Sequence, residues 1–246
     1  MSYLALVRHG ETAWNRSGRF TGWADEPLTA QGERDARAAG ASLAHSGIPW
    51  HVVHTSRLRR AIDTATLALR EMPGANPTLI RDWRLNERHV VDLEGVGHAQ
   101  AAALHGRDTA EQWRWGWDVR PPAVAADDPR QAGHRVAHPE AGQELPVGES
   151  LRDVVRRVGP WLEGIRPRLA AGSNIVAVTH STTLRALRVI IEGRTPEEIF
   201  AMRAANGAIV LFECTVDGLR PVAGGGPQER MRGAQAAMSS SPTAIA

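Results

Sequence analysis

The stretch Leu4-Ala5-Leu6-Val7-Arg8-His9-Gly10-Glu11-Thr12 decides the architecture of this chain. Its unbroken apolar run reads as a strand buried on both faces, the pattern of a parallel sheet covered by helices, and it stops on Arg-His-Gly. In open sheets of this kind ligands sit just beyond the carboxyl ends of the strands, so the run delivers a guanidinium and an imidazole to the usual place of chemistry. A second run, Asn174-Ile175-Val176-Ala177-Val178-Thr179, ends on His180 and leads into a helical pattern from Leu184 to Ile191. One histidine after a buried strand is ordinarily a core residue. Two such strands, each delivering one, suit a phosphoryl pocket, because the N–H groups that open the following helix add donors.

Outward from these two strands, short apolar runs alternate with helical stripes. Residues 11–28 hold Gly, Asn, Thr and Trp without period and read as a long functional loop. Thr29 is placed to cap a helix to about 46, with Ala36, Ala39, Leu43 and Ala44 on one face and Gly47 as its stop. Val52-Val53-His54 is a strand, and Ser56 is placed to cap a helix striped by Leu58, Ile62, Ala65 and Leu69. Arg57, Arg59 and Arg60 crowd that helix's first turn, where each cation opposes the helix dipole by roughly 0.3–1 kcal/mol; the crowding points to an anion nearby. A strand near 78–81 precedes Leu85-Asn86-Glu87-Arg88-His89.

From about 96 to 147 the character changes. A helix is expected over 97–105; the remainder, with Trp113, Trp115, Trp117 and a tract rich in Pro, Ala, Asp and His, reads as an excursion covering the site. Gly148-Glu149-Ser150 opens a long helix to about 170, with Leu151, Val154, Val155, Val158 and Leu162 inward and Pro160 and Pro167 expected to bend or split it. Residues 207–213 and 219–222 read as a closing hairpin around Asp217-Gly218, and 223–246 hold too few apolar residues to fold. The chain so read is one catalytic domain over 1–222, a three-layer α/β/α sandwich with a mainly parallel central sheet, and a disordered tail.

At 246 residues the chain can bury a core without staples, and its one cysteine, Cys214, excludes a disulfide framework and reads as a small hydrophobe in a strand. A reducing, cytoplasmic setting fits. No window approaches the ~20 apolar residues of a membrane span, and no signal segment opens the chain. All 29 cationic residues are arginine, the formal charge is +2, and the arginines are spread along the chain, which speaks against a nucleic-acid stripe and for small anionic ligands. A homo-oligomer stays open.

The continuation Glu11-Thr12-Ala13-Trp14-Asn15, with Arg19-Phe20-Thr21-Gly22-Trp23, Leu28-Thr29-Ala30-Gln31-Gly32, Thr55-Ser56-Arg57-Leu58-Arg59-Arg60-Ala61 and Leu85–His89, resembles the histidine phosphatase superfamily, and within it the cofactor-dependent phosphoglycerate mutase family. The likeness covers about residues 1–222. It implies a phosphoglycerate mutase-like fold in which His9 is the nucleophile that becomes phosphorylated, Arg8, Arg60 and His180 are cations around the transferring group, and Glu87 handles the leaving-group proton. Asn15, Thr21 and Gly22 match positions that line the phosphate; Arg88, His98, Arg114, Trp115, Ser181 and Thr182 fall where the family reads the rest of the substrate. It implies a small phosphorylated metabolite as ligand, no metal, and 2,3-bisphosphoglycerate or another phosphoryl donor for priming. The residue types suit the chemistry: neutral imidazole can approach a phosphate dianion, and fixed guanidinium groups stabilise charge on the transferring oxygens without reorganising.

The pattern departs from the family where the substrate is read. Val90-Val91-Asp92 replaces Tyr-Gly-Gly, His98 stands at a lysine position, Trp113-Arg114-Trp115 replaces Trp-Arg-Arg, and Ser181-Thr182-Thr183 replaces Gly-Asn-Ser. Losing those donors predicts a poor fit to phosphoglycerate and a larger or less anionic, non-glycolytic substrate, unless Arg84, Arg88, Arg107 or Arg120 compensates. The core residues leave two activities open, transfer to a new hydroxyl as in a mutase, which the retained excursion favours, or transfer to water as in a phosphatase. An inactive phospho-ligand-binding relative would need the loss of a core residue, and none is lost.

Overall fold

The computed structural model describes residues 1–222 apart from 75, 126, 196–197 and 199–202. The opening run is β1 (Ser2–Arg8), which lies inside a six-stranded sheet. It pairs in parallel with β4 (Ile175–Thr179), which pairs with β2 (Val52–Thr55), which pairs with β3 (Thr78–Arg81). On its other side β1 meets β5 (Ile209–Thr215) antiparallel, and β5 turns back as β6 (Gly218–Pro221), giving the order β3-β2-β4-β1-β5-β6. The sheet is therefore mainly parallel, with the predicted hairpin as its antiparallel edge.

Alternation along the two central strands divides the core. Leu4, Leu6, Ile175 and Ala177 pack with α7 (Leu151–Ala170) and α8 (Ser181–Glu192). Tyr3, Ala5, Val7, Val176 and Val178 pack on the opposite face, against α2 (Ala30–His45) and α3 (Arg59–Arg70). Covered on both faces, β1 has Leu4, Ala5, Leu6 and Val7 fully inaccessible; at ~1.5–3 kcal/mol per buried Leu or Val, this strand anchors both layers.

Thr29 caps α2 as expected, its hydroxyl accepting from the Gly32 N–H at 3.1 Å. Gly32 also lets α2 sit directly on the turn after β1: a Cβ on Gly32 would lie 2.1 Å from the Glu11 carbonyl oxygen, and one on Gly10 would lie 2.1 Å from the Gly32 oxygen. The loop over 11–28 contains a short helix, α1 (Ala13–Arg16), closed by a capping box between Thr12 and Asn15.

Three local expectations are corrected. Ser56 does not cap α3; the N-cap is Leu58, without a side-chain bond, because the Ser56 hydroxyl accepts from the Leu58 N–H and contacts His180 instead. Pro160 and Pro167 do not split α7, which runs unbroken; both lie on its exposed face, where water can take the carbonyls they leave without donors. The 96–147 excursion is also more regular than composition suggested. It forms α4 (His98–His105), α5 (Arg107–Trp115) and α6 (Pro129–Ala137), and α4 and α5 close a small core of Phe20, Val90, Leu93, Ala101, Ala110 and Trp113. Cys214 lies half-buried in β5, as a free thiol. The predicted disordered tail, 223–246, lies outside the described residues.

Candidate functional site

Because β1 and β4 are adjacent and parallel, with Arg8 opposite Thr179, the residues that follow them, His9 and His180, emerge side by side. Their ring centroids lie 4.9 Å apart. Both are buried, at 3% and 0% exposure.

His9 Nδ1 lies 2.6 Å from the carbonyl oxygen of Gly10. A carbonyl only accepts, so this contact places the proton on Nδ1 and leaves the lone pair on Nε2. Burial, then the Arg60 and Arg8 charges, hold the His9 pKa well below the usual imidazole value, so the ring is neutral at physiological pH. His180 likewise has its pKa held well below the usual imidazole value, by burial and then by Arg60 and His9. Its Nε2 is 2.7 Å from Ser56 Oγ. That hydroxyl also accepts from the Leu58 N–H, and His180 Nδ1 is a buried ring nitrogen without a protein partner.

Arg60, fully buried at the start of α3, is clamped by two carbonyls: Nη2 donates to Gly22 at 2.7 Å and Nη1 to Ala24 at 2.8 Å. The crowding of arginines is thus resolved, since Arg57 pairs with Glu140 and Arg59 with Asp63 at the surface. Gly22, at φ +53°, is required here: a Cβ would lie 2.6 Å from Glu94 Oε1 and 2.8 Å from Val90. Arg8 donates from Nη1 to the Ala204 carbonyl at 2.6 Å. Burial lowers the pKa of Arg8 and brings that of Arg60 down to about 10, the signature of cations held in a dry site.

The segment carrying Glu87 is pinned from below. Arg157, in a buried ion pair with Glu149, donates to the carbonyls of Arg84, Asn86 and Glu87, while Thr179 and Thr183 hydroxyls donate to those of Leu85 and Asn86. Glu87 Oε2 faces the Thr182 N–H at 3.4 Å, at the start of α8, and Oε1 accepts from Arg88 N at 2.7 Å.

These groups surround a cavity of about 380 Å³. Of the expected site residues, Arg8, His9, Asn15, Thr21, Gly22, Arg60, Glu87, Arg88, His98, Arg114, Trp115, Ser181 and Thr182 line it, and His180 lies beside His9 without reaching its surface. Asn15 Oδ1 accepts from Thr12 and from Asn206, which leaves its amide N–H groups as what it can offer a ligand. His98 packs edge-on against Phe20 and burial pushes its pKa down to about 4, so it is not a substitute cation for the lysine expected there.

Sequence reading missed Arg185, Arg203, Asn206, Arg19, Phe20 and Ala204, which also line the cavity. Arg185 follows Thr182 by one turn of α8, a spacing that could have placed it on the same face. Arg203 and Asn206 precede β5, and only the antiparallel pairing of β5 with β1 brings them to His9, whose carbonyl accepts from Asn206 at 3.0 Å. Of the arginines suggested as compensating, Arg88 lines the cavity and Arg84, Arg107 and Arg120 do not. The lining still holds seven arginines, Arg8, Arg19, Arg60, Arg88, Arg114, Arg185 and Arg203, against one carboxylate, Glu87, so the wall expected to be depleted of charge is strongly cationic. Among the described residues no cluster of His, Cys, Asp or Glu is arranged to hold a metal ion, and no helix is long and apolar enough to cross a membrane.

Comparison with known proteins agrees with this geometry. A model of the histidine phosphatase superfamily (branch 1) matches residues 4–139 and 124–223. The chain is 40% identical over 226 residues to the 2,3-bisphosphoglycerate-dependent phosphoglycerate mutase of Nitratidesulfovibrio vulgaris strain Miyazaki F, covering 91% of this chain and 90% of that protein. It is 39% identical over 224 residues to the protein of the same description from strain Hildenborough, covering 90% and 89%. Among solved structures, a mycobacterial glucosyl-3-phosphoglycerate phosphatase in complex with VO3 superposes with a TM-score of 0.70 at 24% identity, over 90% of this chain and 96% of that one. Bacillus stearothermophilus YhfR does so with a TM-score of 0.69 at 24% identity, over 91% and 96%. At that identity the structural likeness is one of fold.

Proposed function

This chain belongs to the histidine phosphatase superfamily, and from that premise we propose that it transfers a phosphoryl group through a phosphohistidine on His9, between hydroxyls of one small phosphorylated metabolite, as a phosphoglycerate mutase does. The observation that carries this reading is the His9 tautomer: a neutral ring with its proton committed to the Gly10 carbonyl offers an Nε2 lone pair within the reach of Arg8 and Arg60.

His9 Nε2 forms the new bond to phosphorus as the bridging P–O bond breaks, and the departing oxygen takes a proton from Glu87. In the return step the Glu87 carboxylate removes a proton from the accepting hydroxyl as the P–N bond breaks. Glu87 stands at the rim of the same cavity, fixed by Thr182 and Arg88. Charge developing on the transferring oxygens is met by Arg8, Arg60 and the His180 ring, with Asn15, Thr21 and the Gly22 backbone as further donors. The buried Nε–H groups of Arg8, Arg60 and Arg88 have no protein partner, which suits a polyanion such as 2,3-bisphosphoglycerate. Such a priming molecule supplies a phosphoryl group to His9; Arg8 and Arg60 would hold that group, and Arg88, Arg114, Ser181 and Thr182 its remainder.

Residues 1–222 act in this reading as one catalytic unit, with the 96–147 excursion covering the site through His98, Arg114 and Trp115. A reducing, cytoplasmic setting suits the single free thiol.

The test is labelling with phosphoryl-labelled 2,3-bisphosphoglycerate. Acid-labile, base-stable label is expected on the native protein and none on His9→Ala; equal label on both removes His9 from the mechanism. With 3-phosphoglycerate, isomer formation should exceed phosphate release, and the reverse ratio makes the protein a phosphatase.

A further inference from the structure

Trp23 stands where the two segments that place the reacting groups meet, although it does not line the cavity. Its indole N–H donates to the Glu87 carbonyl at 2.5 Å, and its backbone N–H donates to Glu94 at 2.7 Å. The residues on either side of it, Gly22 and Ala24, supply the two carbonyls that clamp Arg60. One residue therefore ties the main chain of Glu87 to the loop that fixes a cation of the phosphoryl pocket.

Glu87 depends on such a tie. Among the described residues its carboxyl accepts from the N–H of its own neighbour Arg88 and, at 3.4 Å, from that of Thr182, so no side-chain donor holds it. Its place is then set by its backbone, whose carbonyl accepts from Arg157 at 3.1 Å and from Trp23 at 2.5 Å. Shape is a separate matter. The indole is 2% exposed, packed edge-to-face with His89 and His138 at ring-centre distances of 4.9 and 4.7 Å, and faced by the Arg157 guanidinium at 5.9 Å. A phenyl ring would fill much of that compartment. What the indole adds is a buried N–H that calls for an acceptor, and the acceptor is the carbonyl of the residue that moves the proton.

We propose that Trp23 is a positioning residue for proton transfer: its indole N–H fixes the Glu87 main chain against the loop that clamps Arg60, and so holds the Glu87 carboxyl at one distance from the oxygen that leaves phosphorus. The proposal rests on the phosphotransfer reading, in which the bridging P–O bond breaks, His9 Nε2 forms the new bond, and the departing oxygen takes the Glu87 proton. It carries a signature that packing alone lacks. Placement of a proton donor matters only for a leaving group that needs the proton.

The test compares two phosphoryl donors in one step, transfer to His9 of the whole chain. From 2,3-bisphosphoglycerate the departing group is an alkoxide and needs a proton; from 4-nitrophenyl phosphate it is nitrophenolate, which leaves as a stable anion. Acid-labile label follows the first and the nitrophenolate burst the second, each at saturating donor. Trp23→Phe should slow labelling from 2,3-bisphosphoglycerate about 10-fold, the equivalent of one hydrogen bond, while the half-saturating concentration and the nitrophenolate burst stay within about two-fold. In a Glu87→Gln background the same substitution should change labelling by less than about two-fold, because the group it positions is gone. If Trp23→Phe does not fold, site-specific replacement of the Trp23 side chain by that of 3-benzothienylalanine keeps the bicycle without the N–H and supplies the same comparison. Equal slowing with both donors makes Trp23 a packing residue and overturns the proposal. Labelling at the parent rate in a folded variant, or a loss undiminished by Glu87→Gln, overturns it as well. Absence of acid-labile label on the native protein would instead overturn the phosphotransfer reading.

Discussion

Replacing Glu94 by glutamine should stabilise the protein at neutral and alkaline pH. The Glu94 side chain is 8% exposed and accepts the Trp23 N–H at 2.7 Å. Burial raises its pKa from the ordinary 4.5 to about 7, against the backbone donors and Arg60, which favour the ionised form. His134 lies 3.8 Å away, but burial holds that imidazole below its usual pKa, so the contact is not an ion pair at neutral pH. A carboxyl whose folded pKa is raised binds its proton more tightly in the fold. Its contribution is complete below about 4.5 and is lost as pH rises through about 7. At ~1.36 kcal/mol per pH unit, the ionised carboxylate costs roughly 3 kcal/mol above that range. Glutamine keeps the accepting oxygen and the shape without the charge.

The expected result is a difference in unfolding free energy between Glu94→Gln and the parent that is near zero at pH 4.5 and grows to ~1–3 kcal/mol in favour of the variant at pH 8, read from urea titrations at both pH values. Taking the difference removes the opposite trend of the buried histidines. His89, held down to about 3, and His138, to about 4, contribute stability present above about 6.5 and lost as pH falls. A difference that does not vary with pH, or a variant less stable at pH 8, would refute the reasoning. Activity is a second reading of the same contact, because the loop that Glu94 holds at Trp23 supplies the carbonyls clamping Arg60. Glu94→Gln should therefore stay within a few-fold of the parent.

Two further outcomes follow from the site. By nitrogen NMR of the imidazole, His9 in the free protein should be the Nδ1–H tautomer and should titrate well below the usual imidazole value of 6.5, since burial and two guanidinium charges depress its pKa; an Nε2–H tautomer, or titration at 6.5 or above, contradicts the assignment of the nucleophilic nitrogen. Arg157→Met should cost ~3–5 kcal/mol by leaving Glu149 buried and unpaired, and should lower turnover because the carbonyls of Arg84, Asn86 and Glu87 lose their shared donor. A melting temperature and rate close to the parent's would show that the Glu87 segment does not depend on that support.

The fold was legible where one signal sufficed. Two buried runs ending in histidine, a threonine cap at position 29 and the Asp217-Gly218 pair are local patterns, and the strands, α2 and the closing hairpin follow from them, with the turn itself one residue earlier, at Val216-Asp217. Ser56 was misread because a serine before an apolar stripe has two uses, capping and a long-range bond, and only the packing of β2 beside β4 brings His180 within 2.7 Å of it. The splitting of α7 expected as one outcome at Pro160 and Pro167 does not occur, because a proline's cost depends on which face it occupies and both fall where α7 meets solvent.

The electrostatics of the site were the least legible part. A motif compares one position with another, so arginine giving way to Trp115 counts as a charge lost. Charge in a cavity is a sum over every element that reaches it, and here α8 and the segment before β5 contribute Arg185 and Arg203, which no spacing along the chain connects to Trp115. His180 shows the same limit: its place at the end of a strand is a property of sequence, but the lowering of its pKa follows from burial and from having Arg60 and His9 as neighbours. In a chain whose only cations are arginines that do not titrate near neutrality, the groups left to answer pH near the phosphoryl pocket are carboxyls and histidines, and burial has moved Glu94 up and His9 and His180 down. The nucleophile is thereby kept neutral without a base beside it, by the same burial that makes each unpaired guanidinium demand an anion.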